Sequence, residues 1–235
     1  MSPSLFEDDG RLTVEDEEAE ERALISLSLV PGVGPGRIRA VLARFRSAVR
    51  ALKASPRALA EVPGVGPQTA QAIAAFDGER VAEEQLRRAE HVGAWLLPLW
   101  DVRFPRLLQQ IYDPPAFLWV RGSLVPEDER AIAIVGTRRA TEYGRSAAHD
   151  LAQALAERGL TVVSGLAYGI DGAAHRGALV PPSGRTLTVL GSGVDRIYPA
   201  RHTRLAEAIE ERGAILSEYP MGAAPDGPNF PRRNR

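Results

Sequence analysis

The chain has 235 residues, 44% hydrophobic and 25% charged, with a formal net charge of −1. That balance belongs to a globular protein with mass for one large core or two small ones. There is no Cys, which excludes disulfides and thiolate metal sites. With no signal-peptide pattern and no apolar run of membrane-spanning length, a cytoplasmic protein is the default expectation.

The small net charge hides a segregation. Residues 1–21 carry nine acids and one Arg, whereas residues 22–93 carry eleven bases and six acids. Residues 136–235 are again mildly basic, with thirteen bases against ten acids. The opening stretch is polar and lacks periodicity, which predicts a disordered acidic tail over 1–20.

From Glu21 the pattern turns helical and a repeat emerges. Val30-Pro31-Gly32-Val33-Gly34-Pro35 recurs as Val62-Pro63-Gly64-Val65-Gly66-Pro67. Each copy opens a helix, predicted over residues 37–45 and 68–76. This is the helix–hairpin–helix pattern. Its glycines permit a tight hairpin with exposed amides, and the next helix offers its N-terminus, so a phosphate can rest on backbone N–H groups. Paired copies resemble the two-motif module of DNA repair and recombination proteins, which grips phosphates irrespective of sequence. Gly32, Gly34, Gly64 and Gly66 supply the turns, and Arg37, Arg39 and Gln68 are the nearest side chains for duplex DNA. Such modules also serve as protein-contact or packing domains, and the sequence leaves both uses open.

A further amphipathic helix is predicted over 78–92 with Gly93 as its stop. A short strand over 94–99, a helical turn over 104–111 and the break Asp113-Pro114-Pro115 follow. Composition then becomes β-branched and Gly-rich. We therefore expect a small all-helical domain over 21–93 and an α/β domain over 94–235. In the latter, strands are predicted over 117–121, 132–135, 160–163, 186–190 and 215–217, with helices over 142–158, 170–179 and 203–212. Their alternation argues a parallel-rich sheet covered on both faces. The turns at the carboxyl ends of such strands are where these folds bind ligands.

The turn chemistry selects the ligand. Gly136-Thr137-Arg138-Arg139-Ala140-Thr141 lacks the second and third glycines of a dinucleotide fingerprint, and no Gly-Lys-Ser/Thr of a P-loop is present. Arg138 and Arg139, beside the amides of Gly136 and Thr137 at a helix start, suit a polyanion instead. The second turn adds Ser164, Gly165 and Gly169, where glycine lets a ligand approach the backbone. Asp171 is expected to N-cap the helix after it. Ser164, Asp171 and His175 lack the nucleophile elbow of a hydrolase. The four histidines, His91, His149, His175 and His202, lack metal-ligand spacing. At the end of the chain Phe230 stands with Arg232, Arg233, Asn234 and Arg235. A ring for bases beside cations for phosphates suits single-stranded nucleic acid.

Together AIVGTRRATEYG, VVSGLAYGIDGAAH, TVLGSGVDRIYPARH, LSEYPMG and FPRRNR, with DPPAFLWVRG upstream, resemble the DprA/Smf DNA-processing proteins of natural transformation. The resemblance covers residues 94–235. It implies an extended Rossmann-like fold with a basic pocket for single-stranded DNA, protection of incoming DNA, loading of the RecA recombinase and a homodimer through the Rossmann domain. It implies neither an enzyme nor a cofactor. It maps the pocket arginine onto Arg138 and the turn glycines onto Gly136, Gly165 and Gly169. The FPxRNR segment maps onto Phe230, Arg232, Asn234 and Arg235. The family pattern continues past this segment, so the chain reads as a fragment with an incomplete dimer interface. Two other readings stand beside it. One is the phosphoribohydrolase activity of the related Rossmann-like cytokinin-activating proteins, whose PGGxGT signature is missing here. The other keeps the hairpins for duplex DNA and makes the Rossmann part a nucleotide sensor.

Overall fold

The computed structural model describes residues 13–235. The chain forms two compact units. The first takes the chain to Arg87 and adds Pro98–Phe104 and Gln109–Phe117; the second comprises Arg88–Leu97, Pro105–Leu108 and Leu118–Arg235. Among the described residues no helix is long and apolar enough to cross a membrane.

The first unit opens with helix α1, Val14–Leu29. Residues 14–20, expected to be disordered, are its first turns; residues 1–12 of the expected tail lie outside the described residues. The reason is a capping box. The Thr13 hydroxyl accepts from the Asp16 N–H at 3.2 Å, and the Asp16 carboxylate accepts from the Thr13 N–H at 3.1 Å. Acids in the first turn also suit the positive end of the helix dipole. Glu20 then accepts from the Ala48 N–H at 2.6 Å and from the Ser47 hydroxyl, which fixes the start of a later helix.

Four shorter helices complete the module: α2, Pro35–Phe45; α3, Ala48–Leu52; α4, Pro56–Ala60; and α5, Pro67–Ala75. The repeat is reproduced in backbone detail. Gly32 and Gly64 have φ of 80° and 79°, the left-handed region that favours glycine. In each hairpin a valine N–H closes the turn on the valine carbonyl three residues back, Val33 to Val30 and Val65 to Val62, both at 3.0 Å. Gly34 and Gly66 cap α2 and α5 with no side-chain hydrogen bond, and a proline fills the first helical position of each. Leu24, Leu27, Ile38, Val41, Leu59 and Ile73 form the buried interior.

Helix α6, Glu79–His91, contains the division between the units. The second unit is built on a six-stranded sheet whose strands are β1, Ala94–Pro98; β2, Phe117–Gly122; β3, Ala131–Ala133; β4, Thr161–Ser164; β5, Thr186–Val189; and β6, Ala214–Ser217. A single-turn helix, α7 (Arg106–Gln109), lies between β1 and β2 in sequence. The strand order is β1-β2-β6-β5-β4-β3. Strands β3 to β6 are mutually parallel, and β2 pairs antiparallel to β6 with Trp119 opposite Ser217. The sheet is therefore mixed but rich in parallel pairs.

The crossovers are α8, Glu142–Ala156; α9, Ile170–Ala178; and α10, Thr203–Arg212. Because β3, β4, β5 and β6 follow one another in a single direction, right-handed crossovers place all three helices on one face. The sequence predicts a sheet covered on both faces, and in the central strands consecutive residues, which point to opposite faces, are buried alike, at residues 186–188 of β5 and along Ala214–Ser217 of β6. On the face that carries these helices Ala152 and Ala156 of α8 and Ala174 and Ala178 of α9 pack with Val162. Small residues let the helices lie close to the strands, and that geometry brings the loops at the carboxyl ends together.

Candidate nucleic-acid interface

Each carboxyl-end loop follows from local chemistry. After β3 the chain continues its pairing, with the Ile134 N–H donating to Val163 at 2.9 Å, and then turns at Gly136. The Thr137 hydroxyl accepts from the Arg139 N–H at 3.2 Å, which shapes the turn, and the Thr141 hydroxyl caps α8 by accepting from Gly144 at 3.1 Å. Arg138 and Arg139 are thereby left exposed between two hydroxyl-ordered turns.

The loop after β4 is locked against this one. Ser164 is buried and donates to the Ile134 carbonyl at 2.6 Å. Gly169 caps α9, and the Ile170 N–H donates to the Thr137 carbonyl at 3.3 Å. Asp171, expected at the N-cap, sits inside the first turn of α9 and accepts from the Ala167 N–H at 3.3 Å. The cap falls to Gly169 because the close approach of the Thr137–Arg138 backbone excludes a side chain there.

The chain after β6 closes the site. Short helix α11, Asn229–Arg233, is held by three tethers. Asn229 donates through Nδ2 to the Gly191 carbonyl at 3.0 Å, the Tyr219 hydroxyl donates to the Asn229 carbonyl at 3.0 Å, and Arg235 pairs with Glu218 at 2.6 Å. Arg233 points inward, donating to the Gly165 carbonyl at 3.2 Å and to the Val189 carbonyl. Burial holds its guanidinium below the ordinary value, with the Arg138 charge adding to the effect and Asp171 and Tyr219 opposing it. Its Nε also donates to the Asn234 side chain at 3.0 Å. Arg232 remains exposed.

These segments meet at Phe230. The Arg138 guanidinium lies over its ring, 5.0 Å from the centroid. The ring also rests against Gly191, where a Cβ would come within 3.0 Å of it, and the Tyr198 ring stands 6.3 Å away at 40°. Arg138 and Phe230, 92 positions apart in sequence, thus form one cation–aromatic unit at the carboxyl ends of parallel strands. Tyr198 is a neighbour that the candidate residues read from the sequence do not include, although it lies in the TVLGSGVDRIYPARH segment, in the loop opened by Gly191-Ser192-Gly193.

In the hairpin module, two expected phosphate hands are engaged with the protein itself. Arg37 donates from Nε to the Gly64 carbonyl at 2.7 Å and also to the Gly32 carbonyl, joining the two hairpins. Arg39 pairs with Asp113 at 2.8 Å and donates to the Pro114 carbonyl. Gln68, Gly64 and Gly66 are exposed beside the α5 N-terminus. Among the described residues no cluster of His, Asp or Glu side chains is placed to hold a metal ion.

Beneath the site lies a buried polar chain. His202 donates from Nδ1 to the Leu166 carbonyl at 2.8 Å. Thr186 donates to the Val162 carbonyl at 2.6 Å, so its hydroxyl oxygen is left to accept from His175 Nδ1 at 2.7 Å. Fully buried and beside His202 and Arg176, His175 is pushed down to about 3, desolvation being the main cause. It is neutral in the fold, whereas the unfolded residue titrates near 6.5. Between those values the unfolded chain binds the extra proton. Stability should therefore fall as pH drops below 6.5, by about 1.4 kcal/mol per unit from this residue. Unfolding of the wild type and His175→Asn from pH 7 to pH 4 checks this: the variant should be less stable at pH 7 but shallower in slope. Parallel curves would remove His175 from the pH dependence.

Residues 95–235 match the family described as DNA recombination-mediator protein A, and residues 21–76 match the SAM-like helix-hairpin-helix tandem. Protein Smf of Synechocystis is 38% identical over 221 residues, covering 92% of this chain and 55% of that protein. The X-ray structure of DNA processing protein A from Streptococcus pneumoniae aligns with a TM-score of 0.76 at 28% identity, over 96% of this chain and 74% of that one. The Helicobacter pylori DNA processing protein A, whose structure concerns its single-stranded DNA binding mode, aligns at 0.54 with 32% identity, over 61% of this chain and 64% of that one. The chain spans about half the length of the curated relatives it matches.

Proposed function

As the chain belongs to the DNA recombination-mediator protein A family, we propose that it binds single-stranded DNA at the carboxyl ends of β3, β4 and β5. The observation that carries this reading is the Arg138–Phe230 unit, a guanidinium 5.0 Å from an aromatic ring where the strand-end loops converge. On binding, Arg138 leaves the ring for a phosphate and a base takes its place on Phe230. Arg139 and Arg232, both exposed, extend the phosphate track. Gly136, Thr137, Ser164, Gly165 and Gly169 shape the turns, while Arg233, Asn234 and Arg235 hold the closing segment. The hairpin module adds contacts to duplex DNA through Gly32, Gly34, Gly64, Gly66 and Gln68, with Arg37 holding the two turns in register. In the whole protein, acting as a homodimer in the cytoplasm, this site protects incoming DNA during natural transformation and helps load the RecA recombinase.

Titration of a labelled oligothymidine in a salt series tests the site. Affinity should fall with salt as counterions are released, with a logarithmic slope of about 0.7 per phosphate neutralised. Arg138→Ala should bind more weakly and lower that slope by roughly one phosphate's worth. Equal affinity and equal slope in both proteins would take Arg138 out of the site.

A further inference from the structure

We propose that Tyr198 is a second base-stacking ring of this site, open before DNA arrives; the proposal rests on the single-strand reading above. Phe230 is committed in the free protein. Its ring is pressed against Gly191, its segment is tethered at Asn229, and Arg138 covers it. Tyr198 differs in each respect. It belongs to the loop after β5, it is 45% exposed, and its hydroxyl has no partner among the described residues. Yet the ring does not stand alone. Its centroid lies 6.3 Å from that of Phe230 at a 40° tilt, and Pro199 behind it is buried.

An exposed aromatic anchored at its edge offers a π-face at little conformational cost, and every base has a π-face to match. The surrounding charge favours a nucleotide over an apolar ligand: the Arg138 guanidinium lies over the neighbouring Phe230 ring, and Arg196 on the loop itself is exposed. A base on Tyr198 would thus lie next to the base that displaces Arg138 from Phe230. Stacking on a ring is indifferent to sequence, so Tyr198 would strengthen binding without selecting bases.

The test uses the full chain with two labelled strands of equal length, an oligothymidine and its fully abasic counterpart. Tyr198→Phe should bind both strands as the wild type does. Tyr198→Leu, which keeps an apolar contact for Phe230 but has no ring, should bind the oligothymidine about tenfold more weakly. Its salt slope should be unchanged, and its affinity for the abasic strand should equal that of the wild type. If Tyr198→Leu loses the same factor on both strands, or nothing on either, stacking on Tyr198 is overturned while the single-strand reading stands. If the wild type binds neither strand, the single-strand reading itself falls, and the stacking proposal with it.

Discussion

Replacing Asp128 by alanine is expected to lower folding stability by about 3–5 kcal/mol, because it leaves a largely buried guanidinium without its counter-ion. Asp128 is buried, with 7% side-chain exposure, and Arg185 is 21% exposed. The carboxylate accepts four hydrogen bonds: Arg185 Nε at 3.0 Å and Nη2 at 2.9 Å, the Thr161 hydroxyl at 2.8 Å and the Val125 N–H at 2.9 Å. Without it, Arg185 retains the Ser123 carbonyl at 3.0 Å. Thr161 opens β4 and Arg185 immediately precedes β5, so the network ties the amino ends of two central strands. The proposed DNA site occupies the other ends. Asp128→Ala should therefore lower the midpoint of thermal unfolding by roughly 10 °C yet leave oligothymidine affinity unchanged at temperatures where it is folded. Asp128→Ala with Arg185→Met should be less damaging than Asp128→Ala alone, since no charge is then stranded. A loss of under 1 kcal/mol for the single variant, read from urea unfolding, would show that Arg185 finds other partners.

The parts of this fold that were legible in the sequence are those specified by neighbouring residues. The six-residue repeat dictated two hairpins with matching φ at Gly32 and Gly64, because glycine and proline act on the backbone directly. Alternating apolar runs located the parallel strands and their helices to within a few residues for the same reason. What stayed hidden was set by distant partners. Arg37 reads as a phosphate hand, yet its guanidinium binds the Gly64 carbonyl 27 positions away. Arg233 reads as one of three equivalent cations, but it turns inward, to carbonyls 68 and 44 positions back. The insertion of β6 between β2 and β5 is likewise a matter of tertiary pairing. The start of α1 is a different case. Thr13 and Asp16 form a capping box that could be read from their spacing, and the surrounding acids outweighed it in the reading for disorder.

The residue that connects fold to site most directly is Gly169, and Gly169→Ala should impair both. Its φ of 77° and ψ of −122° lie where side chains are rarely tolerated. A Cβ would come within 2.2 Å of the Thr137 carbonyl oxygen and 2.9 Å of the Arg138 carbonyl carbon. Both are backbone atoms, so no rotamer change relieves the contact, and the turn carrying Arg138 must shift. We expect a loss of about 2–4 kcal/mol in stability and, in the folded protein, oligothymidine binding weaker by roughly tenfold as one charge-assisted phosphate contact is lost. Gly159→Ala separates strain from contact. Gly159 also has positive φ, 71°, but nothing lies within 4 Å of the position its Cβ would take. That variant should show strain of about 1 kcal/mol with wild-type affinity. Should Gly169→Ala bind oligothymidine as tightly as Gly159→Ala, the packing of the second turn on the first would not be what aims Arg138, and Phe230 alone would have to hold it.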